Sequence, residues 1–221
     1  MPEPSRPRVL DLVLIPAIIT LGVTVLRLVG ELQGWSPRLF NRAAGGGGAL
    51  VGISWLPLVF GVYFALRLVD AGERPASAWR ALGLAVLGLA IVPAALFTAN
   101  AMKAPQLGML VTAAIAFVIG GIVAGRGWPA LGRVLFVYAL AARVPVAALM
   151  LPAIVGKWGT HYDVLPPNFP PMSDVATWAL IGLFPQLTIC VGFTIIVGAI
   201  VGAATAAIAR GKGRQTVADA A

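Results

Sequence analysis

Acidic side chains are scarce in this chain. Eight Asp and Glu stand among 221 residues, beside sixteen Lys and Arg, one His and one Cys. Charged residues make up 11% of the chain, against about 25% in a soluble domain. The single cysteine, Cys190, excludes an intramolecular disulfide and a cysteine-rich metal centre; inside an apolar run it reads as a small packing residue. The single histidine, His161, excludes a histidine pair for haem, and neither H-E-x-x-H nor G-x-S-x-G occurs. No pair of acids lies at the depth of an apolar run, so a carboxylate relay for protons or sodium is excluded, and there is no arginine-rich voltage sensor. The net charge of +8 does not point to nucleic acid, because the basic residues stand singly at the ends of apolar runs with no basic, aromatic-interleaved stripe.

What the chain has instead is apolar length: 59% of it is hydrophobic. So few charges leave a folded apolar surface uncovered in water, which makes the bilayer its solvent. A spanning helix takes about 20 mostly apolar residues, and six such runs are predicted, at 9–29, 49–69, 81–102, 107–125, 131–155 and 185–209. They are continuous rather than alternating, so they read as helices and not as barrel strands. The expected fold is therefore all-α: one polytopic membrane bundle of six spans over residues 1–221, with larger loops at 30–48 and 156–174. The last run is longer than one span, and Pro185 is expected to divide it into an interfacial piece (174–184) and the span proper. The first run is read as a retained span rather than a cleaved leader, since Arg27 and Glu31 follow it in place of a small-residue cleavage site.

Basic residues orient this bundle. Ten fall on the side of the termini: Arg6, Arg8, Arg67, Arg74, Arg80, Arg126, Arg133, Arg210, Lys212 and Arg214. Five fall on the other side, and Arg143 is left in the middle of the fifth span. The positive-inside bias then places both termini in the cytoplasm and the protein in the inner membrane. Trp35, Trp79, Trp128 and Trp158 fall at span ends, where indole prefers to sit.

Arg143 is the residue the pattern does not absorb. It lies about twelve residues, or ~18 Å, from either end of its span, too deep for easy snorkelling, and at least ~2.5 kcal/mol attaches to an Arg at that depth. Asp11 and Glu31 sit at the ends of the first span and not at its level. The remaining partners are neutral: Thr20, Thr24, Tyr138, Gln186 and the Ala141 carbonyl that Pro145 leaves unbonded. Arg143, Tyr138 and Gln186 form the expected intramembrane polar site. The four consecutive glycines Gly45 to Gly48 lack the lysine of a phosphate-binding loop and read as a hinge or tight turn. The loop KWGTHYDVLPPNFPPMSD offers Trp158, His161, Tyr162 and Asp163 as a docking surface; His161 and Asp163 alone fall short of a metal set. GxxxG spacings at 121–125 and 198–202 mark close helix packing or oligomerisation.

These features lead first to a non-enzymatic accessory or scaffold subunit, with the bilayer and a protein partner or second copy as its surroundings. The alternative is a small oligomeric transporter or channel built around Arg143. An intramembrane enzyme acting on lipid ranks third. No residue set names a cofactor.

Overall fold

The computed structural model describes residues 8–167 and 169–218, all of whose regular structure is helical. Arg6 of the orienting charges lies outside the described residues, as do the side chains of Arg210, Lys212 and Arg214. Helix α1 runs Val9–Leu32, α2 Leu56–Asp70, α3 Ala78–Ala101, α4 Gln106–Gly127 and α5 Pro129–Gly156. The last helix, α6 (residues 174–218), starts as Asp174–Thr177 and ends as Val191–Ala218. Five of these six helices are long and apolar enough to cross a bilayer. The chain is a multi-pass helical membrane bundle.

Local chemistry sets the boundaries. Ser77 and Ser173 cap α3 and α6 by accepting from the Arg80 and Ala176 N–H groups. Trp128 is the one residue between α4 and α5, and Pro129 opens α5 at a position where its missing N–H costs nothing. The loops at 33–55, 103–105 and 157–173 gather at one end of the bundle. Gln106 at the head of α4 donates to the Pro167 carbonyl there.

Two expectations need correction. The second span was expected to begin at residue 49, yet α2 starts at Leu56 and holds only 15 residues, about 22 Å. Pro57 explains this: extended backwards, the helix would drive its ring into the carbonyl of Ile53. Residues 49–55 instead run irregularly, the N–H groups of Leu50 and Val51 bonding the carbonyls of Arg38 and Leu39. Pro185, expected to divide the last run, does not break it. The helix continues through it by widening to π-helical turns at Trp178–Leu183 and Gln186–Cys190, a winding that concentrates at functional sites.

Helices α5 and α6 form the centre. Half of the apolar window of each is buried, against 28% in α1 and α4 and 22% in α3. The outer faces carry Leu14, Ile18, Leu87, Phe97 and Ile119 outward, as lipid contact requires. Glycines let the backbones meet: Gly198 and Gly202 of one GxxxG ridge face Gly61 of α2 and Leu135 and Leu131 of α5, while Gly121 of the other faces Gly192 of α6. Both ridges are thus used inside the bundle.

A methyl group on Gly61 would lie 2.7 Å from the Gly198 carbonyl oxygen, with backbone on both sides and no room to yield. Gly61→Ala should destabilise the protein by about 1–3 kcal/mol, the usual cost of overpacking. Gly83→Ala, which meets only open space, should leave thermal unfolding in detergent unchanged.

Candidate functional site

The segment RLVGE places Arg27 and Glu31 one turn apart on α1, and both are buried. Arg27 Nε donates to Glu31 Oε1 at 2.8 Å. A terminal nitrogen of Arg27 donates to the carbonyls of Asn41 at 2.9 Å and Gly46 at 3.0 Å. Glu31 also accepts from the distant loop: the His161 N–H meets Oε2 at 2.8 Å and His161 Nδ1 meets Oε1 at 2.6 Å. Arg42 donates to the Glu31 carbonyl oxygen. One carboxylate therefore ties the end of α1 to the glycine segment and to the 157–173 loop.

Gly46 shows why glycines stand here. Its φ is +70°, and a methyl group on it would lie 2.7 Å from the His161 ring and 3.1 Å from the Arg27 guanidinium. Only glycine combines that conformation with that approach. The facing loop is folded on itself by Asp163, whose carboxylate accepts from the Gly159 and Thr160 N–H groups at 2.9 and 2.7 Å and from the Thr160 hydroxyl at 2.7 Å. His161 and Tyr162 pack ring on ring at 3.8 Å between centroids. Burial, opposed by the Glu31 hydrogen bond and aided by the Arg27 charge, holds His161 below the ordinary imidazole range. Burial pushes the Tyr162 phenol up.

Beneath these loops lies a cavity of about 390 Å³. Its walls are Thr24 and Arg27 of α1, Gly45 to Gly47, Ile53 and Ser54, Phe117 of α4, Arg143, Val146 and Met150 of α5, His161 to Pro166 of the loop in part, and α6 from Ile181 to Phe193. Ile53 and Ser54 of its wall stand just before α2, where Pro57 ends the helix. Arg143 is only 7% exposed. Its Nε is buried without a hydrogen-bond partner, as is Oε1 of Gln186, which lines the same cavity. Among the described residues Arg143 has no ion pair, and no acidic side chain lines the cavity.

The predicted site residues divide accordingly. Arg143 and Gln186 share the cavity. Tyr138 lies apart: its hydroxyl meets Thr20 Oγ1 at 2.9 Å, and Phe60 and Phe64 enclose its ring. Of the four loop residues, His161 and Tyr162 turn inward to the cavity, Asp163 is spent on its own loop, and Trp158 remains 37% exposed. His161 pairs with Glu31 and not with Asp163. Among the described residues no cluster of His, Cys, Asp and Glu fits a metal. The sequence reading missed Arg27 and Glu31, taking them as flanking charges; their opposite signs at a four-residue spacing in an apolar helix were the available signal.

No protein-family model matches this chain, and neither the curated proteins nor the solved structures compared with it give a match.

Glu31→Gln would strand the Arg27 charge in a buried setting. Breaking such a pair costs about 3–5 kcal/mol, so the variant should unfold at markedly lower temperature and expose the 157–173 loop to proteolysis. Acidity should act in the same direction through His161, which faces Glu31, Arg27 and Asp163. Its folded pKa is depressed, so the unfolded chain takes up the proton first, near pH 6.5. Stability should be whole above about pH 6.5 and decline below it, and His161→Gln should flatten that decline in a pH series of thermal melts.

Proposed function

We propose that the protein is a non-enzymatic membrane protein of the small transporter or channel class, taking a solute into the cavity from the loop side. With the charge bias read as above, that side is the outer face of the inner membrane. The observation that carries this reading is Arg143: buried, charged, unpartnered and on a cavity wall. A helix staple would spend its guanidinium on backbone carbonyls. A subunit contact would carry it to the outer surface. Arg143 does neither, and an ionisable side chain inside a membrane protein that faces a cavity is a solute-site residue by default.

The accessory-subunit expectation gives way to this reading because the loop side chains meant for docking, His161 and Tyr162, are committed inside the protein. The widened turns of α6 supply a means of movement. They flank Pro185 and carry Ile181, Gln186, Ile189 and Cys190 of the cavity wall; rewinding either stretch to the narrower α form would rotate those side chains past Arg143.

Cys190, the only cysteine, provides the test. In oriented vesicles a small membrane-impermeant thiol reagent should label it from the loop side, and Ser54→Cys in a Cys190→Ala background should label faster. Arg143→Leu should abolish solute-protected labelling while the protein still inserts and folds. Failure of both positions to label from either side, in folded protein, would sink the reading.

A further inference from the structure

Resting on the cavity reading above, we infer that the ligand is an amphiphile with one oxyanionic head, a carboxylate or phosphate, whose head sits on Arg143 and whose apolar body lies along α4 and α6. The charges in the cavity decide the sign. Arg27 is neutralised by Glu31 and its donors are placed on Glu31, Asn41 and Gly46. Among the described residues Arg143 has no such counter-ion, and the lining holds no acid. The cavity therefore carries one uncompensated positive charge. A cation would be repelled by the uncompensated Arg143 guanidinium. A neutral solute would leave the buried charge of Arg143 as costly as before. One anion removes that cost.

The form of the head follows from the donors. A guanidinium offers a planar fork that matches two oxygens of a carboxylate or phosphate. Gln186, the other lining residue with a buried unpartnered polar atom, carries an amide whose ends exchange by rotation. It can donate to a head oxygen or accept from a protonated one. The body follows from the walls: Phe117, Ile181, Ile189 and Phe193 are apolar, so an inorganic ion alone would leave them against water. A single anionic charge on an apolar body satisfies both halves.

Two sources share this chemistry, a soluble organic anion and the headgroup of an anionic lipid. Full-length protein in nanodiscs of phosphatidylcholine, a lipid without net charge, would be titrated by calorimetry with hexanoate, butyl phosphate, inorganic phosphate, hexanol and hexyltrimethylammonium. Hexanoate and butyl phosphate should bind saturably and more tightly than inorganic phosphate, and the cation should not bind. Arg143→Met should weaken the two amphiphiles roughly tenfold or more, the worth of one charge-assisted hydrogen bond, with Arg143→Lys between. Should Arg143→Met fail to fold, Gln186→Glu places a carboxylate in the same cavity as a built-in competitor and should abolish anion binding. Native mass spectrometry of protein from its own membranes separates the sources. A retained anionic phospholipid displaced by hexanoate marks a headgroup site; its absence, with soluble anions binding, marks a soluble ligand. Hexanol binding as tightly as hexanoate, undiminished binding to Arg143→Met or to folded Gln186→Glu, or no saturable binding by any anion would overturn the inference. If Cys190 labels normally in that case, the cavity reading survives; if neither Cys190 nor the Ser54→Cys position labels, it falls as well.

Discussion

The carboxylate of Glu31 holds this structure together where it is least regular. Everything below the loops is helices packed by small residues in an apolar medium, an arrangement that tolerates no exposed backbone groups. At the loop end the chain leaves α-helical geometry over residues 33–55 and over the described residues of 157–173. Glu31 supplies the fixed point. Its two oxygens accept from the Arg27 side chain and from both the backbone and the ring of His161. Removing a carboxylate from water is expensive, and it is sustained only where charge and hydrogen bonds are both returned. Here they are, which is why two separate loops hold one arrangement over the cavity.

The contrast between two arginines follows. Arg27 and Arg143 have similar burial and line the same cavity, yet Arg27 is an internal strut and Arg143 a free charge. The difference lies in neighbours and not in depth. Arg27 has an acid one turn away and two carbonyls delivered by a glycine turn. Arg143 has Pro145 two residues on, no acid within its span, and no acid among the residues that line its cavity. A bundle that compensates one arginine so fully and leaves the other bare has a cavity with a net positive wall.

Much of this fold was legible from composition. Long continuous apolar runs in a chain so poor in charge leave helices in lipid as the one solution, and the wrong boundaries were those set by proline. Pro57 shortened α2 through a clash with a carbonyl four residues earlier, a local rule readable in advance. Pro185 acted the other way, because α6 could widen instead of breaking, and that choice depends on neighbours that sequence spacing does not contain. The site was half legible. Arg143 announced itself by depth, and Gln186 was on the right helix. Tyr138, five residues before Arg143, turns its hydroxyl toward Thr20 and does not line the cavity. Glu31 and His161, 130 residues apart, meet only through the tertiary fold.

The shortness of α2 ties these points into one design. A helix of ordinary length there would take Ile53 and Ser54, part of the cavity wall, into its first turns. Proline at the second helical position stops it early, and the irregular stretch before it needs glycine to turn back over the gap. That stretch exposes backbone polar groups, so it must be anchored, and the anchor is the Arg27–Glu31 pair. Cavity, glycine run and buried ion pair are in this sense one feature: the first requires the second, and the second requires the third. A protein built only to pack against partners would gain stability by lengthening α2 and discarding both buried charges. All three elements surround an arginine whose charge no neighbour compensates among the described residues, and under the proposed function they are what keeps its cavity open.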